Sequence, residues 1–94
     1  MRNSVFEDLG FSEEKAKDLA IRTELIDGII GIVKKHDYSQ KELQELLKQP
    51  QSEVSYLLNG KVSRFSSEKL LRFLNRLNAK VEIKIKAPRA RIAI

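Results

Sequence analysis

The chain has no cysteine, a single histidine and no apolar run long enough to cross a membrane. Without thiols, disulfides and thiolate metal sites are excluded. His36 has no neighbouring cluster of metal-ligating side chains and reads as a polar residue near a helix end. A membrane helix needs about 18 consecutive apolar residues. The opening MRNSVFEDLG carries acid where a signal peptide would carry its apolar core, so the expectation is a soluble cytoplasmic protein. Catalytic signals are equally scarce: there is no Cys/His pair, no metal-ligand cluster and no glycine-rich phosphate loop. Glu13 with Glu14 reads as a helix start, too exposed for acid/base work. Neither an enzyme nor a cofactor is expected.

What is present is a small chain with its charge unevenly placed. Ninety-four residues suit one domain with a single core, spanning residues 1–94. The net charge of +5 conceals two halves. Residues 1–47 hold 7 Lys and Arg against 10 Asp and Glu, a balance of −3, whereas residues 48–94 hold 11 against 3, a balance of +8. A basic half is the electrostatic footprint of a phosphate-binding protein.

That basic half begins inside the most informative stretch, YSQKELQELLKQPQSEVSYLLNGK, residues 38–61. Ser39 can cap a helix starting at Gln40, with Glu42 as the returning arm of a capping box. Leu43, Leu46 and Leu47 form one apolar stripe. Pro50 forbids helix interior around it, so the chain turns near Lys48 to Pro50. A second helix then starts near Gln51, buries Val54, Leu57 and Leu58, and ends at Asn59 and Gly60, which tolerate left-handed backbone. Its outward residues are Gln51, Ser52, Glu53, Ser55 and Tyr56. Two short helices joined by a tight turn match either a plain helical hairpin or a helix-turn-helix, whose second helix offers side chains to base edges in the major groove.

The residues S-Q-K-E-L, the apolar Val54 and Leu57 and the closing N-G-K resemble the XRE family of helix-turn-helix regulators. The entry SVFEDLGF, the long preceding helix and the sequel RFSSEKLLRFLNRLNAKVEIKIKAP extend the resemblance to its HigA-type antitoxin branch. The resemblance implies a mainly α, lambda-repressor-like helix-turn-helix bundle of four to five helices, with a C-terminal β-strand. It implies base contacts by Gln51, Ser52 and Ser55, a phosphate contact by Gln40 and a backbone contact by Lys61. Glu53 and Tyr56 join the candidate base contacts by exposure, and Ser39 and Arg64 join the candidate phosphate contacts. It also implies a partner toxin, usually RNA-cleaving, and repression of a shared promoter. One departure stands out: where the family usually has Gly in the turn, this chain has Lys48. Left-handed backbone at a non-Gly residue costs about 1 kcal/mol, so the turn either keeps that geometry or is remodelled around Pro50.

The flanking segments set further expectations. Val5, Phe6, Leu9 and Phe11 load the N-terminus with apolar surface, for the domain's own core or for a partner-binding arm, the core being favoured. Ser12 can cap a helix running to about Lys35. That helix carries two stripes, Ala16, Leu19, Ala20, Ile26, Ile29, Ile30 and Val33 on one side, and Ile21, Leu25 and Ile32 on another. The second stripe, with Gly28 and Gly31, suits a contact to another element or subunit, unless the glycines break the helix. After the motif, Ser66 or Ser67 caps a helix built on Leu70, Leu71, Phe73, Leu74 and Leu77 and ended by Asn78. Phe73 belongs to its core stripe, and Phe65 can pack back as a staple. Val81, Ile83 and Ile85 then alternate with charged residues as a strand would. Such a strand needs a partner: the tail ARIAI, a second subunit or another protein, the intermolecular options being favoured. The expected function is a sequence-specific DNA-binding repressor, a homodimer on a palindromic operator and the antitoxin of a type II pair. The alternative is an interaction module that keeps the helix-turn-helix fold without specific DNA binding.

Overall fold

The computed structural model describes residues 13–87. Four α-helices and one 3-10 turn follow in order: α1 Glu13–His36, α2 Gln40–Leu47, α3 Gln51–Leu58, the turn Val62–Arg64, and α4 Ser67–Arg76. The expectations for Val5, Phe6, Leu9, Phe11, the Ser12 cap and the ARIAI tail lie outside the described residues.

Helix α1 is favoured at both ends by charge, with Glu13 and Glu14 in its first turn and Lys34, Lys35 and His36 in its last. It runs unbroken through Gly28 and Gly31, so the break does not occur. The cost of two interior glycines, about 1 kcal/mol each, is offset by the burial of Ile26, Ile29 and Val33 around them. Of the first stripe, Ala20 is exposed; of the second, Leu25 and Ile32 are half-buried while Ile21 is exposed.

The buried side chains of α1 meet Leu43 and Leu47 of α2, Val54 and Leu57 of α3, Phe65, and Leu70, Phe73, Leu74 and Leu77 in and after α4. Phe65 is fully inside, its ring edge-on to Phe73 with centroids 6.1 Å apart, which settles both aromatics as core. No polar or charged residue is buried among the described residues. Leu46 and Leu71, both expected in core stripes, are exposed, because neighbours one turn away already fill the helix–helix seam.

All four helices stop in the same way. The residue after each helix or its cap is left-handed, with φ of 54° at Asp37, 55° at Lys48, 71° at Gly60 and 60° at Asn78. In each case the next residue's N–H reaches back to an orphan carbonyl: Tyr38 to Val33 at 3.1 Å, Gln49 to Gln44 at 3.1 Å, Lys61 to Tyr56 at 3.0 Å and Ala79 to Leu74 at 2.9 Å. The turn before α3 is therefore not remodelled around Pro50. It keeps the left-handed geometry at Lys48, and Pro50 serves as the extended residue preceding α3. Asn59 is not left-handed; Gly60 alone takes that role there. The expected starts hold: Ser39 Oγ accepts from the Glu42 N–H at 3.1 Å while Glu42 Oε1 accepts from the Ser39 N–H at 2.8 Å, and Ser66 rather than Ser67 caps α4.

The expected C-terminal strand is not formed. Residues 81–87 have no regular secondary structure, and no strand occurs among the described residues. Alternation alone cannot make a strand; it needs a paired edge to satisfy its N–H and C=O groups, and none is within reach among these residues. Instead Val81, Ile83 and Ile85 line an open groove with Ile21 and Leu25 of α1. Ile83 and Ile85 remain 77% and 89% exposed.

One polar tie fixes the loop beyond α3. Arg22 on α1 donates to the Phe65 carbonyl at 3.1 Å and the Val62 carbonyl at 3.5 Å. Asp18, one turn earlier, accepts from Arg22 and from the Ser67 hydroxyl. The tie joins the first helix to the 3-10 turn and to the start of α4.

Two substitutions test these constraints. Lys48→Gly removes a left-handed penalty and should raise unfolding free energy by about 0.5–1 kcal/mol, visible as a rise of several degrees in Tm, whereas Lys48→Val should lower it. Arg22→Met keeps the apolar stem but abandons two carbonyls, and should cost about 1–3 kcal/mol in urea unfolding.

Candidate nucleic-acid interface

Helix α3 is only eight residues long, so its rotation decides which side chains can reach a ligand. Val54 and Leu57 are each 1% exposed and turn one face inward. At about 100° per residue, Ser52, Ser55 and Asn59 then align on the opposite side, with Gln51 beside them at the open N-terminal end. Gln51, Ser52 and Asn59 are exposed and Ser55 is half-buried. The Asn59 amide donates to Ser55 Oγ at 3.4 Å, so the ridge is a row of short hydroxyls and amides. Such groups match base edges by hydrogen bonding and add no bulk that would keep the helix from a groove. Periodicity left Asn59 as a helix stop; its place four residues after Ser55 was the signal that it also belongs to this ridge.

Glu53 and Tyr56 lie on the flank of α3 that faces the 3-10 turn and α4. The Glu53 carboxylate accepts from Arg64 at 3.3 Å and lies 4.0 Å from the Lys69 ammonium. The Arg64 guanidinium sits over the Tyr56 ring, 3.9 Å from its centroid, a distance at which the ring quadrupole attracts a cation. Lys69 in turn lies over Phe65 and Phe73 at 5.7 and 5.8 Å. The Glu53 partner of Lys69 and the carbonyl partners of Arg22 lie too far along the chain for periodicity to reveal.

The phosphate candidates sit around this ridge. Ser39 Oγ uses a lone pair to cap α2 and so keeps its own proton to donate. Gln40 is exposed in the first turn of the same helix, where unsatisfied N–H groups and the helix dipole favour an anion. Lys61 is exposed directly after α3, its backbone tied to Tyr56 by the helix-stop hydrogen bond. Arg64 is half-exposed despite its partners. Ser39 and Gln40 thus stand at the start of α2 and Lys61 just after the end of α3, while Arg64 lies alongside α3 at Glu53 and Tyr56. Val81, Ile83 and Ile85 stand apart, beside α1.

This arrangement has counterparts. Residues 5–86 match the family model described as "Helix-turn-helix domain". A solved chain described as "Putative XRE Family Transcriptional Regulator" is 34% identical, with a TM-score of 0.73 over 84% of this chain and 90% of that one. No curated protein matches the chain. A family model that covers most of the residues, and a relative this similar over nearly its whole length, assign the chain: it belongs to the helix-turn-helix domain family, among the XRE-type members.

Proposed function

We propose that the chain is a DNA-binding transcriptional regulator that reads an operator with α3. The observation that carries this reading is the polar ridge of exposed Gln51 and Ser52 with half-buried Ser55, preceded and followed in the chain by exposed hydroxyl and cationic groups at Ser39, Lys61 and Arg64. The family membership and the +8 balance of residues 48–94 support it. Phosphate contacts supply affinity and register, and the ridge supplies sequence discrimination. One eight-residue helix spans only a few base pairs, so a homodimer is the natural reading unit. Its operator would be an inverted repeat with half-site centres about 10 bp, or a multiple of the helical turn, apart.

On this proposal the regulator is a repressor acting in the cytoplasm, and it is the antitoxin of a type II pair that controls its own operon. The support for the antitoxin role is the resemblance of SVFEDLGF and of the sequel to α3 to HigA-type antitoxins. A second reading, a protein-interaction module that keeps the fold, is favoured by the exposure of Ile83 and Ile85. The apolar groove they form with Ile21 and Leu25 is the surface on which dimer and partner contacts would be sought.

Base reading and backbone holding separate experimentally. Gln51→Ala should cost about 1–3 kcal/mol on an operator selected from a random pool and little on scrambled duplex. Lys61→Ala should weaken both alike and reduce the slope of log K against log salt by about 1. Equal losses on both duplexes for Gln51→Ala would remove α3 as the reader. For the C-terminal segment, truncation after Lys80 should leave helicity by circular dichroism intact and weaken self-association in sedimentation equilibrium. Unfolding of the truncated chain would make residues 81–87 part of the domain's own stability.

A further inference from the structure

The carboxylate of Glu53 is the one acidic group on α3, and its position is odd for a helix that is to meet a polyanion. It is not turned to solvent: its side chain is 22% exposed and lies between two cations, Arg64 at 3.3 Å and Lys69 at 4.0 Å. Arg64 is the more exposed partner, at 48%. Its guanidinium is held on two sides, by the Glu53 carboxylate and by the Tyr56 ring 3.9 Å below its carbon. Only one of its nitrogens is used by Glu53, so the remaining N–H donors stay available at the edge of the α3 ridge. A planar fork with free donors and a fixed plane can bind a phosphate oxygen in one orientation, whereas an unrestrained arginine can follow phosphates in many.

We propose that Glu53 is a positioning residue for Arg64, trading general attraction to DNA for discrimination. The proposal rests on the DNA-binding reading given above. The carboxylate acts in two ways. It holds the guanidinium against Tyr56, so that the Arg64–phosphate contact forms well only when α3 is seated in its proper register. It also offsets the charge of that guanidinium, so that Arg64 attracts the phosphates of every sequence less strongly and the ridge contacts are left to decide between them. Lys69 keeps the carboxylate from the alternative of turning outward: its ammonium lies 4.0 Å from the other carboxylate oxygen and over the Phe65 and Phe73 rings.

The test uses the full chain and two duplexes, one selected from a random pool and one scrambled, in titrations from 50 to 200 mM salt. Glu53→Gln keeps the volume and an acceptor oxygen but removes the charge. It should tighten binding to the scrambled duplex about threefold at the low-salt end and steepen the salt slope by about 0.9, as one added phosphate neutralisation would. The ratio between selected and scrambled duplex should fall. In an Arg64→Ala background the same Glu53→Gln change should move neither slope nor ratio, which separates action through Arg64 from a general effect of charge. Weaker binding to both duplexes with an unchanged slope would show that Glu53 only braces the fold. Loss confined to the selected duplex would make Glu53 a base reader. An effect that survives in Arg64→Ala would show that Glu53 does not act through Arg64. Each of these overturns the proposal while leaving the DNA-binding reading intact. Wild-type protein with no salt-dependent duplex binding would overturn both. Arg64→Ala alone should lower the salt slope on the selected duplex, where its phosphate contact is formed, by about 0.9, and its failure to do so also overturns the proposal.

Discussion

The burial of Val54 and Leu57 is the constraint on which the rest of the molecule depends. A helix of two turns has no other means of fixing its rotation, and these two side chains, packed among residues of α1, α2 and α4, leave one side of α3 uncovered. Fully burying a residue of this size stabilises by about 1.5–3 kcal/mol, so rotating α3 to bring Glu53 to the front would cost more than a surface ion pair returns. The polar ridge, the Arg64 stack on Tyr56 and the placement of Lys61 all follow from that orientation. Helix α2 performs the complementary task, because its own buried pair, Leu43 and Leu47, fixes the platform from which the turn at Lys48 launches α3.

Much of this was legible in the residues because the signals were local. The capping box needs only Ser39 and Glu42. The buried stripe of α3 needs only a period of 3.6, and Pro50 announces the turn by itself. The failures have equally physical causes. Leu46 and Leu71 are exposed because a stripe read along one helix does not say how wide the facing seam is. The turn at Lys48 kept its left-handed form because the hydrogen bond from Gln49 to Gln44 and the packing on both sides exceed a penalty of about 1 kcal/mol. Residues 81–87 read as a strand because alternation is a pattern of side chains, while a strand is a pairing of backbones. Arg22 was illegible, since its carbonyl partners lie some forty residues further along the chain.

No polar or charged residue is fully buried in the described core, so polar specificity is carried at the rim. Arg22 with Asp18 and Ser67 ties α1 to the start of α4, and Glu53 with Arg64 and Lys69 ties α3 to the same region. Both ties converge on the segment from Lys61 to Lys69. That segment bridges α3 and the remainder of the bundle, which lets charges beside the α3 ridge be set by residues that also organise the fold.

The four left-handed helix stops have a consequence for how the chain reaches this structure. Each lets a helix end within one or two residues, so that α1, α2 and α3 are separated by connections of only a few residues, while the most extensive helix packing joins α1 to α4 across the chain. The short connections cost little loop-closure entropy, so most of that cost falls on bringing α4 back to α1. With no cysteine to oxidise, that docking needs no slow covalent step. A newly made chain would therefore complete its core only once α4 had left the ribosome.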